Sequence, residues 1–249
     1  MKGIILAAGQ GTRIRSILGE RPKCLIRFDR TGWTILDQQI EGLFEAGASK
    51  IGIVVGYGKE HIIRHVARNY PRSLARFHFI KNPAFAETNN IYSLWMARDW
   101  LKGGSFAILN ADVAFDPRIL RPAVLSAAPI TMIVDPEWRD ETMKVVIAGD
   151  RVVRMSKKIS RDEFSATYIG ITAVHASANA RLFQRIEDLI RRGEERVFFN
   201  AAVQQLADEG LHVAYSETSG LPWAEIDDPG DLDFARLHVF PKLARPLAA

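Results

Sequence analysis

The chain has 249 residues, of which 47% are hydrophobic and 25% are charged, a balance that is ordinary for a globular protein and sufficient for a sizeable core. Its 33 basic and 29 acidic residues are spread along the chain and leave a net charge of only +4, so nucleic acid is not indicated as a partner. One cysteine cannot form an internal disulfide, and no apolar stretch resembles a secretory leader or approaches the ~20 residues of a membrane span. We therefore expect a cytoplasmic protein without a membrane partner.

The first half of the chain alternates between apolar strands and helical patterns. Strands are predicted at residues 3–8, 51–55, 77–80 and 105–109. Helices are predicted after the cap Thr34, near residues 59–69, over residues 90–101 and from Asp116 onwards. This alternation favours an α/β fold with a doubly wound, mostly parallel twisted sheet, in which ligands bind beyond the carboxyl ends of the strands.

The second half of the chain is richer in short strands. These are predicted at residues 131–134, 143–147, 152–155, 168–174, 213–215 and 223–226, with a hairpin turn at Gly149-Asp150. Helices are predicted at about residues 178–191, 197–209 and 229–237. We interpret residues 1–238 as one domain with halves at 1–128 and 129–238, followed by a loose tail at 239–249, where the pattern fades.

A loop after the first strand has the chemistry of a phosphate site. Gly9 and Gly11 let the backbone turn sharply and approach a ligand, and unpaired amides in such a turn form a positive concavity. Thr12 can cap a following turn, Arg13 adds a fork-shaped donor, and Lys23 adds a mobile point charge. The loop fits neither a dinucleotide fingerprint nor a Walker A motif. It nevertheless suits a nucleoside triphosphate.

Acidic residues follow two later strands at the same predicted edge of the sheet. Asp112 comes after the strand at 105–109, and Glu225, Asp227 and Asp228 follow Trp223. Alternation would put Glu225 and Asp227 on one face and leave Asp228 to cap the next helix. Together with Asp112 they could hold Mg²⁺ on a triphosphate. From spacing alone, an equally good interpretation makes Asp227 and Asp228 helix caps and Asp112 a turn residue.

Four polar residues around one predicted loop are candidates for reading a base, namely Asn82, Asn89, Asn90 and Ser93. An asparagine amide offers one acceptor and two donors, which is enough to read a pyrimidine edge. Asn89 or Asn90 could equally well cap the helix that follows.

The string Leu-Ala-Ala-Gly-Gln-Gly-Thr-Arg at residues 6–13, followed by Pro22-Lys23, resembles the signature of the sugar-phosphate nucleotidyltransferases. Several further segments make the chain, to about residue 237, similar to the phosphocholine cytidylyltransferase branch: Asn82-Pro83, residues 88–95, Met143-Lys144-Val145, Ser156-Lys157, Ile169-Gly170-Ile171 and residues 221–227. The resemblance implies a Rossmann-like nucleotidyltransferase fold, CTP as donor, a small phosphorylated alcohol as acceptor and Mg²⁺ as cofactor. The first half would bind the nucleotide and the second half the acceptor.

The resemblance also assigns roles to individual residues. Arg13 would face the leaving pyrophosphate, Lys23 the α-phosphate, and Asp112, Glu225 and Asp227 would hold Mg²⁺. The residues expected to bind the nucleotide are Leu6, Ala7, Ala8, Gly9, Gly11, Thr12, Arg13, Lys23, Gly56, Asn82, Asn89, Asn90, Ser93 and Asp112. Those expected to bind the acceptor are Lys144, Lys157, Tyr168, Gly170, Asn200 and Trp223. The alternative for the two lysines is a solvated hairpin.

Two departures from this branch lie toward the acceptor half. Asn200 stands where many members have glutamate, and Ala166-Thr167 stands where Gly-Glu is common. A quaternary ammonium requires aromatic faces or a carboxylate. Trp138, Tyr168 and Trp223 could supply faces, although such rings more often pack in the core or in loops. The loss of a carboxylate weakens the case for choline and leaves a phosphonate or another polyol phosphate open.

Two other functions stay open from the sequence. One is a uridylyl- or thymidylyltransferase acting on a sugar 1-phosphate, and the other is an inactive regulator that binds nucleotides. We carry a homodimer as one expectation for the assembly.

Overall fold

In the computed structural model, which describes residues 1–28 and 32–243, strands and helices alternate from the start of the chain. The strands are β1 (Lys2–Ala7), β2 (Lys50–Val55), β3 (Phe77–Lys81), β4 (Phe106–Asn110), β5 (Val113–Phe115), β6 (Ile130–Asp135), β7 (Lys144–Ala148), β8 (Arg151–Ser156), β9 (Ala166–Val174), β10 (Val213–Glu217) and β11 (Trp223–Glu225). The helices are α1 (Arg15–Leu18), α2 (Ile35–Glu45), α3 (Lys59–Asn69), α4 (Asn90–Met96), α5 (Arg98–Leu101), α6 (Leu120–Leu125), α7 (Ala176–Arg191), α8 (Asn200–Asp208) and α9 (Pro229–Phe234). Short 3-10 turns cover Thr12–Ile14, Lys23–Leu25, Pro71–Arg76, Pro117–Ile119 and Phe240–Lys242, and a π turn covers Ala235–Val239.

Within the described residues, nine strands form one sheet in which β10-β6-β9-β4-β1-β2-β3 are successive neighbours, and β7 pairs with both β9 and β8. Strands β4, β1, β2 and β3 are mutually parallel, as are β10 and β6. Strand β9 runs antiparallel to both β4 and β6 and thereby joins the two parallel groups. The predicted α/β class with a mostly parallel sheet is confirmed.

Both faces of the sheet are covered by helices. In β1, Ile4 and Leu6 face a hydrophobic cluster that includes residues of α4, α7 and α8, whereas Ile5 and Ala7 face one that includes residues of α2, α3 and α6. Burial on both sides explains why this strand is a continuous apolar run in the sequence. No helix in the described part of the chain has the length and apolar character that a membrane crossing requires.

A second, two-stranded sheet pairs β5 with β11 in antiparallel register, with Val113 opposite Glu225 and Phe115 opposite Trp223. The pairing continues into the next residue, because the Ile226 amide donates to the Asp112 carbonyl at 3.0 Å. Strand β5 was not predicted, since three residues are too few to show alternation. Strand β5 matters because its pairing with β11 places Asp112, the residue that precedes β5, beside the acidic cluster more than a hundred positions later.

Several other predictions need correction. The helix predicted over residues 90–101 is broken at Ala97 into α4 and α5, and the one predicted from 197 begins at Asn200. Thr12 does not cap the following turn, because Gly11 occupies the cap position with a φ of 58°. The predicted loose tail is wrong up to residue 243: Val239, Phe240 and Leu243 are buried in a hydrophobic cluster. Residues 244–249 lie outside the described part.

Candidate active site

A cavity of about 240 Å³ lies at the carboxyl ends of β1 and β4 and brings together the loop, the asparagine cluster and the acidic residues. Its lining includes the predicted residues Leu6, Ala7, Ala8, Gly9, Gly11, Arg13, Lys23, Asn82, Asn89, Asn90, Ser93, Asp112, Lys157, Glu225 and Asp227. Of the predicted site residues, Thr12, Gly56, Lys144, Tyr168, Gly170, Asn200 and Trp223 are not in the lining. The cavity therefore combines most of the predicted nucleotide-binding and metal-binding positions with one residue from the acceptor set.

The glycine loop follows directly from β1. Gly11 adopts the left-handed conformation that glycine favours, and a Cβ there would lie 3.0 Å from the Lys23 side chain. Gly11 is thus required both by the backbone conformation and by the close passage of the lysine. Gly56, in contrast, serves packing, because a Cβ there would meet Phe85 at 2.6 Å.

Lys23 is held between two carboxylates that come from distant parts of the chain. Its Nζ lies 2.6 Å from Asp227 Oδ1 and 3.7 Å from Asp112 Oδ2, and its side chain is only 14% exposed. Arg13 Nη2 lies 2.7 Å from the other oxygen of Asp227, and Arg13 Nη1 lies 3.4 Å from Glu141 Oε2. The pairing of β5 with β11 creates this arrangement by fixing Asp112 beside the segment that ends in Asp227.

The carboxyl groups near β11 lie close enough together to oppose one another's ionisation. Burial, Asp112 and Asp227 raise the pKa of Glu225 to about 8, in that order of importance. Burial also raises the pKa of Asp112, with Lys23 opposing and Asp227 adding to the shift. Burial works against the charged forms of Lys23 and Asp227, but the attraction of Asp112 and Asp227 raises the pKa of Lys23, and that of Lys23 and Arg13 lowers the pKa of Asp227.

This donor set can be compared with what a metal ion needs. Among the described residues, no group of three or more His, Cys, Asp or Glu side chains is arranged to hold a metal by itself. Mg²⁺, however, is commonly bound by one or two carboxylates together with substrate phosphates. Asp112 and Asp227 meet at one lysine, and a cation bound beside them would favour the ionised form of neighbouring Glu225. These residues therefore suit an ion that is also coordinated by a triphosphate. They do not form a complete metal site by themselves.

The side chains of the asparagine cluster mostly form hydrogen bonds to other groups of the protein. Buried Asn82 donates from Nδ2 to the Ser93 hydroxyl at 3.1 Å and accepts at Oδ1 from the Ala84 amide at 2.9 Å. Asn89 caps α4 by accepting from the Asn90 amide at 2.7 Å, and Asn90 Oδ1 accepts from the Phe199 amide at 2.9 Å. The capping alternative is thus correct for Asn89, although all three amides still line the cavity.

On the acceptor side, the two lysines have different surroundings. Lys157 lines the cavity with Nζ 5.1 Å from the centre of the Phe198 ring. Lys144 is buried, not solvated as the alternative interpretation expected, and its Nζ lies 4.5 Å from the Trp138 ring. Burial lowers the pKa of Lys144, and the charge of Lys157 adds to the shift.

The remaining predicted acceptor residues are part of the protein interior. The Tyr168 hydroxyl pairs with Thr172 at 2.9 Å, and Trp223 Nε1 donates to Asp135 at 2.8 Å. Both rings are 3% exposed, so the prediction that they present faces to a ligand is not supported. Gly170 has a φ of 85° and lets β9 pass Val113 and Asn110 closely. Buried Asn200 has an Nδ2 with no hydrogen-bond partner among the described residues.

Sequence reasoning missed several residues that line the cavity, among them Phe85, Thr88, Asn110 and Phe198. Asn110 could have been found, because it ends a strand at the ligand edge just before Asp112. Phe85, Thr88 and Phe198 carry no local signal, since they reach the cavity through the packing of loops.

The chain is similar to known nucleotidyltransferases. Residues 3–209 match the family model of the MobA-like NTP transferase domain. The CTP:phosphoglutamine cytidylyltransferase of Campylobacter jejuni is 25% identical over 94% of this chain and 98% of that protein. The 2-aminoethylphosphonate cytidylyltransferase of Lancefieldella rimae is 28% identical over 92% of this chain and 89% of that protein. The solved structure of CTP:phosphocholine cytidylyltransferase from Streptococcus pneumoniae superimposes with a TM-score of 0.77 and 25% identity, covering 95% of this chain and 97% of that one.

Proposed function

We propose that this chain, which belongs to the family of MobA-like NTP transferase domains and is a nucleotidyltransferase, transfers CMP from CTP to a small phosphorylated or phosphonate alcohol. The observation that carries the proposal is Lys23, which Asp112 and Asp227 hold at the floor of the cavity beside the glycine loop. The choice of CTP is supported by the three relatives described above, each of which is named a cytidylyltransferase.

The proposed reaction joins two anions. An oxygen of the acceptor phosphate or phosphonate attacks the α-phosphorus of CTP, the bond to the β-phosphate oxygen breaks, and pyrophosphate leaves. Such a reaction needs positioning and charge neutralisation more than covalent catalysis. The amides of residues 9–13 would cradle the triphosphate, Arg13 would face the departing pyrophosphate, and Lys23 would neutralise the α-phosphate.

Two further groups complete this scheme. Mg²⁺, held by Asp112 and Asp227 with Glu225 beside them, would supply additional charge neutralisation on the phosphates when bound. Lys157, at the cavity wall, would orient the acceptor phosphate, and Lys144 would raise the positive potential behind it.

The surroundings of the acceptor side argue against a quaternary ammonium. Two of the three candidate rings, Tyr168 and Trp223, are buried, and the third, Trp138, is faced by the cationic groups of Lys144 and Arg161. A quaternary ammonium would therefore find no free aromatic face there, and Asn200 offers no carboxylate in its place. We therefore expect phosphocholine to be a poor acceptor relative to a phosphonate or a phosphorylated alcohol without a quaternary ammonium.

The test is pyrophosphate release from each of the four ribonucleoside triphosphates and from dTTP. Each is paired with phosphocholine, 2-aminoethylphosphonate, phosphoglutamine, glycerol phosphate and glucose 1-phosphate, with and without Mg²⁺. We expect release with CTP, dependence on Mg²⁺, and slower turnover with phosphocholine than with the best acceptor. Release confined to UTP or dTTP with the sugar phosphate would replace the proposal by a sugar nucleotidyltransferase. The absence of release with every pair would favour a nucleotide-binding regulator.

A further inference from the structure

A second cavity, of about 270 Å³, lies behind the segment that carries Lys23. Its lining comprises Arg21, Leu25, Arg27, Gly32, Thr34, His61, Arg64, His65 and Arg68. The two cavities share one stretch of backbone, because the intervening Pro22, Lys23 and Cys24 line the candidate active site. We call the second cavity the basic cavity.

One wall of the basic cavity is a face of α3. His61, Arg64, His65 and Arg68 stand at helical spacings of three and four residues and so project from the same side. The opposite side of the helix is fixed to the sheet, where Ile62 and Val66 are fully buried. The basic side chains are therefore presented by a helix that cannot rotate away.

The arginines of the basic cavity have no ion-pair partner among the described residues. Within residues 1–28 and 32–243, no guanidinium of Arg21, Arg27, Arg64 or Arg68 forms an ion pair or a hydrogen bond. By contrast, Arg181, Arg185 and Arg191 in α7 each pair with a glutamate or an aspartate. The four arginines of the basic cavity are exposed, and an anion bound between them would offset the repulsion of their like charges.

The acid beneath the cavity does not supply that anion. Asp37 is buried, and its carboxylate already accepts hydrogen bonds from His65 at 2.8 Å, the Thr34 amide at 3.0 Å and the Tyr70 hydroxyl at 3.1 Å. Burial opposes the charge of Asp37, but these partners outweigh it and lower its pKa. The Asp37 carboxylate is thus already paired with groups that hold α2 against α3.

We propose that the basic cavity is a second anion site, which binds a small phosphate or oligophosphate group apart from the candidate active site. Guanidinium forks match phosphate oxygens in geometry, and four of them around a concave site of this volume suit a compact, multiply charged anion. A protein partner would need a far larger surface, of about 800 Å² on each side. Since the site and Lys23 share a segment, its occupant would contact Arg21 and Leu25, each two positions from the candidate catalytic lysine.

The test uses inorganic pyrophosphate as the probe, in metal-free buffer, with isothermal titration calorimetry and amide hydrogen exchange. We expect the unmodified chain to bind at two sites and to gain protection in residues 21–28 and 59–69 as well as in the glycine loop. The variant R64Q/R68Q should lose the protection at 59–69 and weaken one site on the order of tenfold or more, while it keeps the protection of the glycine loop.

The matched control is R72Q/R121Q, which removes two positive charges from exposed arginines outside both cavities. It should retain both sites. Unchanged binding and protection in R64Q/R68Q would overturn the proposal, as would an equal loss in the control, which would reduce the effect to overall charge. Binding of an acidic polypeptide such as polyglutamate at 59–69, without any pyrophosphate effect there, would replace the small anion by a protein partner. Because the glycine loop is followed separately, failure of the basic cavity is distinguishable from failure of the proposed function.

Discussion

At the scale of single residues, Lys23 is the side chain on which the site converges. Its stem passes under Gly11, and its charge is shared by Asp112 and Asp227. In the substitution Lys23→Met, the stem keeps its packing and only the charge is lost. We expect turnover to fall by about 100-fold or more, because a preorganised group that meets developing phosphate charge is removed. The measurement is steady-state pyrophosphate release, with far-UV circular dichroism to confirm the fold.

A suitable control for Lys23→Met is Lys102→Met, at an exposed position. It should leave turnover within about twofold of the unmodified chain, as surface substitutions generally do. Near-normal turnover in Lys23→Met would remove this lysine from the mechanism.

Glu225 gives a prediction about pH. An unfolded chain would ionise this carboxyl at about pH 4.3, whereas the folded chain keeps it protonated until a pKa of about 8. Between these values the folded state binds the additional proton, so stability falls as the pH rises through this window. Glu225→Gln, which is neutral throughout, should therefore gain stability relative to the unmodified chain as the pH rises.

We expect the gain of Glu225→Gln to be larger at pH 8.5 than at pH 5 by on the order of 1–3 kcal/mol. Urea unfolding at both values, in buffer with a chelator, measures it. A difference between the two proteins that does not change with pH would show that the buried carboxyl ionises normally.

The residues that could be predicted from the sequence are those whose chemistry is local. The glycines, Lys23 and Asp112 could be identified because a loop, a lysine or a strand end is itself the signal. The burial of Tyr168 and Trp223 could not be predicted in this way. Alternation along a strand tells which residues share a face, but not whether that face meets a ligand or, as here, the interior.

At the scale of elements, α9 shows how a helix cap can position a site residue. Asp228 and Asp231 form a capping box, and Asp231 Oδ2 also accepts from the Asp227 amide at 2.8 Å. Asp231→Ala should lower the free energy of unfolding by about 1 kcal/mol, the usual value of a lost cap. It should also lower kcat, because the backbone that aims Asp227 at Lys23 is loosened.

Asp233→Ala in the same helix is the control, since the one ion pair of Asp233 within the described part of the chain is a long one with Arg236 at 3.8 Å. Urea unfolding and turnover should both stay close to those of the unmodified chain. If Asp231→Ala and Asp233→Ala behaved alike, the cap would have no part in positioning Asp227.

Most elements could be predicted because their periodicity extends over several residues, as in α2, α3 and β9. The exceptions have physical reasons. Strand β5 is too short for a pattern, and it is stabilised by a partner that follows more than a hundred residues later. The break at Ala97 leaves the hydrophobic spacing intact, so it is invisible to a periodicity argument.

At the scale of the whole molecule, the two halves that the sequence indicates are joined by strand pairing in both sheets. Strand β9 of the second half pairs with β4 of the first half in the large sheet, and β11 of the second half pairs with β5 of the first in the small sheet. Arg13 and Glu141 add a contact between the glycine loop and the loop before β7. Each half alone would leave an edge strand unpaired, because the hydrogen-bond partners of that strand belong to the other half.

We therefore expect residues 1–238 to unfold as one cooperative unit, as the interpretation of a single domain predicts. Differential scanning calorimetry should show one transition whose calorimetric and van 't Hoff enthalpies agree. A fragment of residues 1–128 should not fold, since removal of β9 exposes the edge of β4 and the apolar residues that β9 covers. Two resolved transitions, or a fragment with native-like hydrogen-exchange protection in β1 and β4, would show that the nucleotide-binding half is an independent domain. The cavity around Lys23 would then lie between two separable units, and ligand-dependent movement of the halves would have to enter the mechanism.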